Sequence, residues 1–313
     1  MNEYGEKFDV IVLGGGAAGL SAALWCDDLK LSCLLLEKES ELGGQLLRVY
    51  NPIENHLGTA ARDGRELRDI FLRQTENRRF IKRLTTEVIA VNVEKITAET
   101  SDGARFAARA MIVATGVRRR SLGIEGEDYF RGRGIIESGK KDAAAVKNKT
   151  VLVVGGGDAA LENALILADE AKKVYIAHRR AEFRGREEFS DKIAGHPKIE
   201  PLTETVVERI SGDQKVEKIE LKNRRTNEAL TLNADAVLIR IGVAPNTEFL
   251  HGKLALDDNG YIKINGSGET SQTKIYAAGD VANPLAPTVS TAVGSGAAAV
   301  KAIAAALRLS AHK

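Results

Sequence analysis

Two glycine-rich segments are the part of this sequence best suited to bind a phosphate-bearing ligand. The first follows the apolar run Val10–Leu13 and extends from Gly14 to Gly19, and the second follows Val151–Val154 and starts at Gly155. In a strand–turn–helix unit, glycines let the backbone approach a pyrophosphate that lies at the helix N-terminus. Each segment therefore predicts one dinucleotide site. Two such sites, about 140 residues apart, are the arrangement needed to pass electrons between two dinucleotides.

The residues that follow the second strand of each unit differ in charge. Glu37 stands 18 residues after Gly19, where an acidic side chain hydrogen-bonds a ribose hydroxyl. The first site is therefore predicted to hold an adenosine with a free 2′-OH, as in FAD or NAD. In the second unit, the second strand is followed by a cationic cluster, which consists of His178, Arg179, Arg180 and Arg184. Because guanidinium groups bind phosphate in a bidentate manner, the second site is predicted to prefer NADPH to NADH.

A late segment indicates that the first dinucleotide is a flavin. A short strand near Ile275–Ala278 ends in Gly279 and Asp280, and a helix follows. In a flavoprotein such an aspartate accepts a hydrogen bond from the ribityl chain, and the helix N-terminus faces the flavin edge where charge builds on reduction. Thr115 and Gly116, at the end of an earlier strand, are small enough to let the backbone approach a cofactor closely.

The order of predicted elements indicates an α/β fold built from two Rossmann-like three-layer dinucleotide-binding domains, the second inserted into the first. Residues 1–118 and 247–313 would form an FAD-binding domain, and residues 119–246 an NADPH-binding domain. A period-two pattern predicts a strand at 105–108, a separate strand is predicted at 110–114, and the last helix is predicted to start near Thr291. The segment 117–148, rich in Gly, Arg and Lys, is predicted to be a mobile connector.

Composition excludes several classes of function. The chain has 313 residues, a net charge of +2, 43% hydrophobic residues and 30 glycines. A nearly balanced charge argues against a nucleic-acid partner. No apolar run approaches the ~20 residues of a membrane span, and Met1–Lys7 contains no apolar signal region, so we expect a cytoplasmic protein. We expect no metal site.

The chain resembles the low-molecular-weight thioredoxin reductase family over nearly its full length. The matching segments are Gly14–Gly19, Gly43–Gln45, Ala114–Gly116, Gly132–Gly134, Gly155–Asp158, His178–Arg180 with Phe183–Arg184, Pro245–Asn246 and Ala278–Asp280. The resemblance implies FAD in the split domain, NADPH in the inserted domain, and a homodimer. The predicted FAD-binding residues are Gly14, Gly16, Ala17, Gly19, Glu37, Lys38, Gly44, Gln45, Asn55, Ala114, Thr115, Gly116, Gly279, Asp280 and Val289. The predicted NADPH-binding residues are Gly155, Gly157, Asp158, Ala159, His178, Arg179, Arg180 and Arg184.

The departures from the family concern its sulfur chemistry. Where the family has Cys-x-x-Cys-Asp, this chain reads Ser138-Gly-Lys-Lys-Asp142 without a gap. Ser and Lys cannot cycle between dithiol and disulfide. The two cysteines, Cys26 and Cys33, lie across a helix-to-strand turn and are expected to be buried and inert. The family's Arg-Gln-Ala beside the flavin is replaced by Pro287–Val289, where the Val289 N–H is still expected to reach the flavin.

These observations predict an NADPH-dependent FAD oxidoreductase that passes electrons from the flavin to an external acceptor such as a ferredoxin, a flavodoxin, a quinone or another small molecule. No catalytic side chain is assigned. The alternative is a flavin-binding redox sensor or partner protein with little NADPH turnover. Lys140, Lys141 and Arg118–Arg120 are either a docking patch for an acidic redox protein or, as we favour, a solvated basic face.

Overall fold

The computed structural model describes residues 7–311, which form two compact units. Within these residues, one unit comprises residues 7–118 and 244–311, and the other comprises Arg119–Val243. The sequence predicted the same first break and placed the second break at 246/247. Strands β7 (Val117–Arg119) and β16 (Val243–Pro245) pair as a two-stranded sheet.

The split unit is built on a seven-stranded sheet with the order β3-β2-β1-β6-β5-β4, and β17 also pairs with β6. Its strands are β1 (Lys7–Leu13), β2 (Cys33–Leu36), β3 (Ile81–Arg83), β4 (Val88–Asn92), β5 (Thr97–Thr100), β6 (Arg105–Val113) and β17 (Ile275–Ala277). Its helices are α1 (Ala17–Asp28), α2 (Gly64–Thr75) and α6 (Val289–Ala311). The strands β3, β2, β1, β6 and β17 run parallel, so their carboxyl ends meet at one edge.

Successive side chains of β1 point to opposite faces of the sheet, and each face of the sheet has its own hydrophobic core. Val10 and Val12 pack with α1 and α6, whereas Ile11 and Leu13 pack with the antiparallel strands and Leu250 on the opposite face. Burial of each such aliphatic side chain contributes about 1.5–3 kcal/mol. The glycine loop that follows β1 is thereby held on a strand that is buried on both sides.

The inserted unit has the same plan with an added antiparallel layer. A five-stranded parallel sheet, in the order β11-β10-β9-β15-β8, has α3–α5 on one side and a three-stranded sheet, β12-β13-β14, on the other. The strands are β8 (Ile135–Ile136), β9 (Thr150–Val154), β10 (Lys173–Ala177), β11 (Ile199–Leu202), β12 (Thr205–Ser211), β13 (Lys218–Asn223), β14 (Ala229–Asn233) and β15 (Ala236–Ile239). The helices are α3 (Gly139–Asp142), α4 (Asp158–Glu170) and α5 (Glu187–Ala194). The α/β fold of two Rossmann-like domains is thus confirmed.

Two expectations about local structure were wrong, and one helix boundary differs by two residues. Residues 105–113 form one continuous strand, because the polar Arg109 in its middle keeps its side chain exposed and pairs with Asp9 of the neighbouring β1 at 3.0 Å. Segment 117–148 contains strands and helices, because its apolar residues Phe130, Ile135 and Val146 are buried in the inserted unit. The last helix begins at Val289, two residues before the predicted start.

Within the described residues, one helix is long and apolar enough to cross a membrane by length and composition alone, over Val289–Arg308. Its residues Ala292, Ala299, Val300 and Ile303 are buried in the same core as α1. The two helices approach closely, since a Cβ built on Gly296 would lie 2.3 Å from the Ala18 carbonyl oxygen. One face of α6 therefore packs in the core of the split unit.

Candidate functional site

The first glycine loop is shaped by backbone contacts that exclude side chains. Gly14 has φ +106°, and a Cβ there would lie 2.4 Å from the Ala114 carbonyl oxygen. A Cβ on Gly19 would lie 1.9 Å from the Gly14 carbonyl oxygen. The loop ends at Gly16, which precedes Ala17 in α1 and caps the helix without a side-chain hydrogen bond. An uncapped helix N-terminus of this kind can bind an anion such as a pyrophosphate.

Glu37 lies directly beside this loop. Its carboxylate is buried, and it accepts hydrogen bonds from the N–H of Gly15 at 2.6 Å and from the N–H of Glu39 at 2.9 Å. Each carboxylate oxygen has a further lone pair, so a ribose hydroxyl could still be accepted. Lys38 is exposed at the strand end. The acidic residue is therefore next to the loop, and its contact with a ribose stays a prediction.

The other predicted FAD residues lie at the same end of the sheet or on loops of the same unit. The Gly43 N–H donates to the Gly15 carbonyl at 2.9 Å, and Gly44 has φ +52°. The Gln45 amide donates to the Val117 carbonyl at 2.7 Å. The Thr115 hydroxyl donates to the Asn246 carbonyl at 2.8 Å. The remaining residues are the buried Ala114, the half-buried Gly116 and the exposed Asn55.

Asp280 is an acid without a protein partner in the part of the chain that the structure describes. It follows β17 in a short 3₁₀ turn, and burial raises the pKa of its carboxyl above the usual value. The preceding Gly279 has φ +75° and donates its N–H to the Ser295 hydroxyl at 2.9 Å. Ser295, on α6, was not predicted, and no local signal in the sequence identifies it. A ligand hydroxyl would satisfy the Asp280 carboxyl.

The second glycine loop leaves open space at its helix. Gly155 has φ +148°, and a Cβ there would lie 2.2 Å from the Arg240 carbonyl oxygen. Gly157 caps α4 without a side-chain hydrogen bond, and nothing lies within 4 Å of a Cβ built on it. Asp158 accepts the Arg186 N–H at 2.6 Å and pairs with its guanidinium at 3.3 Å. Ala159 is exposed in the first turn.

The three predicted arginines are exposed and follow β10, whose last residue, Ala177, accepts the N–H of Gly155 at 3.0 Å. Arg184 is joined to the loop by a hydrogen bond from its N–H to the Gly156 carbonyl at 2.7 Å. Over residues 7–311, no carboxylate lies within 4 Å of the guanidinium groups of Arg179, Arg180 and Arg184. An exposed cationic cluster with no internal counter-ion is well placed to bind a phosphate.

His178 lies under the loop rather than among the exposed cations. Its side chain is 6% exposed, and a Cβ on Gly156 would lie 2.3 Å from its Nδ1 atom. Its Nε2 atom is buried and has no partner among the described residues. Burial lowers the pKa of His178, a hydrogen bond to the Glu182 backbone opposes this shift, and the charges of Arg184, Arg180 and Arg179 lower the pKa further. Its predicted contact with the adenosine phosphate stays a prediction.

The lowered pKa of His178 predicts a pH-dependent stability. The unfolded chain binds the imidazole proton more readily than the folded protein, so stability should be lost as pH falls below 6.5. We expect that His178→Asn reduces the decrease in Tm between about pH 7.5 and about pH 5.5, by up to roughly 2 °C. Thermal melts measure this, with His196→Asn as the control for removing an imidazole. A slope identical to that of the wild type would contradict the prediction.

The cysteines and the Ser138–Asp142 segment were predicted to lack a redox role. Cys26 and Cys33 are 0% and 2% exposed, and a mutual hydrogen bond together with burial raises the pKa of Cys33 well above its usual value. Asp142 accepts the N–H groups of Glu137 and Ser138 at 2.8 and 2.9 Å. Asn163 accepts the Gly139 N–H at 2.7 Å. The segment thus consists of Ser138 and the one-turn helix α3, which Asn163 links to α4.

Most of the basic residues considered as a docking patch have partners within the chain. Arg118 pairs with Glu248, Arg119 donates to the Glu137 carbonyl at 2.7 Å, Arg120 donates to the Val243 carbonyl at 2.8 Å, and Lys141 pairs with Glu137. These contacts favour a structural role over docking.

Comparison with known proteins places these features in a family. Residues 8–305 match the family described as pyridine nucleotide-disulphide oxidoreductase, and the chain belongs to it. Within that class it is similar to thioredoxin reductases. The protein of that name from Rickettsia felis is 35% identical over 299 residues, which cover 92% of this chain and 94% of the relative.

Solved structures agree with this similarity. Thioredoxin reductase from Lactococcus lactis has a TM-score of 0.82 and 30% identity, covering 95% of this chain and 97% of its own. Thioredoxin reductase from T. acidophilum has a TM-score of 0.81 and 29% identity, covering 97% and 100% respectively. The chain is therefore an oxidoreductase of a family that binds flavin and pyridine nucleotides, and its two uncapped loops and partnerless Asp280 fit those groups.

Proposed function

We propose that this protein is an FAD-dependent NADPH oxidoreductase that passes electrons from the flavin directly to an external acceptor, without a dithiol relay. The observation that carries the proposal is the opposite charge beside two similar glycine loops. The first loop has the buried Glu37 carboxylate, which would repel a 2′-phosphate. The second has the exposed guanidinium groups of Arg179, Arg180 and Arg184, which would bind one.

In the proposed FAD site, each residue has a defined task. The α1 N-terminus with Gly14–Gly16 would bind the pyrophosphate, Glu37 a ribose hydroxyl, and Asp280 a ribityl hydroxyl. The N–H at Val289, in the first turn of α6, would stabilise negative charge at the flavin edge. Bound FAD supplies a two-electron acceptor for a reduced nicotinamide, and the protein supplies position and electrostatics.

Direct electron transfer from the flavin to the acceptor is supported by the state of the two cysteines and by the residues that replace the family's Cys-x-x-Cys motif. Cys26 and Cys33 are buried in one core, so neither presents a thiolate to a partner disulfide. The turn from Ser138 to Asp142 contains no sulfur and is closed by its own hydrogen bonds. We therefore propose that the acceptor contacts the flavin itself, and that thioredoxin, the substrate named for the relatives, is not reduced.

The acceptor we propose is a ferredoxin, a flavodoxin, a quinone or another small electron acceptor. A homodimer and a cytoplasmic location complete the proposal. A redox sensor with little NADPH turnover would have the same binding sites, so the two functions differ in one measurable rate.

Anaerobic mixing of the FAD-loaded protein with NADPH measures that rate. We expect rapid loss of the oxidised flavin absorbance, and turnover with ferredoxin, quinones or a dye but not with thioredoxin. The double variant Cys26→Ser/Cys33→Ser should retain this activity, because positions 26 and 33 lie outside the proposed electron path. If the wild type reduces thioredoxin and the double variant does not, a sulfur relay operates and the proposal is wrong. Absorbance unchanged over minutes would favour the sensor.

A further inference from the structure

A fourth arginine, distant in sequence, is held beside the cationic cluster of the inserted unit. Arg224 begins the turn between β13 and β14, and its N–H donates to the Glu204 carbonyl at 2.6 Å. Its guanidinium donates to the Arg179 carbonyl at 3.5 Å. The Glu204 N–H in turn donates to the Arg180 carbonyl at 3.0 Å. These bonds join the turn after β13 to the segment that carries Arg179 and Arg180.

The turn itself is held in one conformation. The Asn223 side chain accepts the N–H groups of Arg225 and Thr226 at 2.9 and 3.0 Å. Such an Asx turn fixes the backbone direction at this point. The Arg224 side chain therefore starts from a defined position next to the Arg179 backbone.

The charges around Arg224 are unbalanced. The nearby carboxylate of Glu204 pairs with Arg225 at 2.9 Å, and Asp158 pairs with Arg186 at 3.3 Å. Within the described range 7–311, no carboxylate lies within 4 Å of the Arg224 guanidinium, as is the case for Arg179, Arg180 and Arg184. Three arginines that follow β10, together with Arg224 against the Arg179 backbone, leave a local positive charge that a dianionic phosphate would neutralise.

We propose that Arg224 is a further 2′-phosphate-binding residue of the coenzyme site, presented by the β13–β14 turn. This inference rests on the proposed function, since it assigns Arg224 to the site proposed for NADPH. The ligand class is a 2′-phosphorylated adenosine nucleotide. Arg224 contributes to the choice between NADPH and NADH and takes no part in electron transfer.

Calorimetric titration of the full-length, FAD-loaded protein tests the assignment without measuring turnover. The probes are 2′,5′-ADP and 5′-AMP, which differ only in the 2′-phosphate. Arg224→Ala is expected to weaken 2′,5′-ADP binding by about tenfold, the loss of one charge-assisted interaction, and to leave 5′-AMP binding unchanged. The control Lys218→Ala, which removes a positive charge at the opposite end of β13, should change neither affinity by more than about twofold.

The outcomes distinguish the role of Arg224 from the identity of the coenzyme. If Arg224→Ala binds 2′,5′-ADP as the wild type does, the role of Arg224 is refuted and the NADPH site is unaffected. If the wild type itself does not prefer 2′,5′-ADP to 5′-AMP, the proposed coenzyme is wrong. Arg224→Gln, which keeps a long polar side chain without the charge, is measured in parallel. The same loss of affinity in both variants would show that the loss comes from the missing charge and not from misfolding of the alanine variant.

Discussion

Replacing Arg179, Arg180 and Arg184 together by alanine is expected to lower kcat/KM for NADPH by about 100-fold, which is ~2.7 kcal/mol. The three side chains are exposed and have no carboxylate within 4 Å in the described part of the chain, so their charge is available to the coenzyme. Charge-assisted hydrogen bonds contribute about 1.5–3 kcal/mol each when well formed, and solvent screening reduces the sum at an exposed site. Steady-state kinetics at fixed ionic strength measure the effect.

NADH provides the internal control for this variant, because it lacks only the 2′-phosphate. Its kcat/KM should stay within about twofold of the wild-type value. A variant with lysine at all three positions keeps the charge but not the bidentate geometry, and we expect it to retain an intermediate preference for NADPH. An equal loss for NADPH and NADH would mean that the arginines hold the pyrophosphate or the fold instead of the 2′-phosphate.

The parts of the fold and site that could be predicted are those encoded within about 40 consecutive residues. The strand β1, its loop and α1 follow from an apolar run, a glycine cluster and a helical pattern next to one another. Glu37 and Arg179 could be located because each follows the next parallel strand, whose carboxyl end lies at the same edge as the loop. Local periodicity therefore identified both dinucleotide loops and the charge beside each.

The parts that could not be predicted depend on contacts between distant residues. Ser295 meets Gly279 because α6 packs back on the sheet edge, and Arg224 meets Arg179 because β13 belongs to a separate antiparallel sheet. Segment 117–148 is polar in composition, yet Ile135 lies in β8, which pairs with β15 a hundred residues later. Composition alone therefore assigned it to a mobile connector.

Replacing Gly19 by alanine is expected to produce a protein without flavin colour. The added Cβ would lie 1.9 Å from the Gly14 carbonyl oxygen, 3.0 Å from the Gly14 carbonyl carbon and 3.4 Å from the Val12 side chain. The first two are backbone atoms of the loop, so the clash cannot be relieved by a rotamer change, and overpacking of this kind costs about 1–3 kcal/mol or more. We expect less than about a tenth of the wild-type FAD content, measured from the absorbance ratio of purified protein.

Comparison with two other glycines separates packing from ligand binding. Gly266→Ala is the matched control, because a Cβ there meets nothing within 4 Å, and it should leave both FAD content and Tm unchanged. Gly16→Ala should preserve the Tm of the flavin-free protein, since the nearest atom to its Cβ is 3.9 Å away, but weaken FAD binding because the methyl group occupies the uncapped helix N-terminus. Full FAD content in Gly16→Ala would mean that the pyrophosphate does not lie against this loop. An equal loss of Tm in Gly16→Ala and Gly19→Ala would mean that both glycines are needed for folding alone.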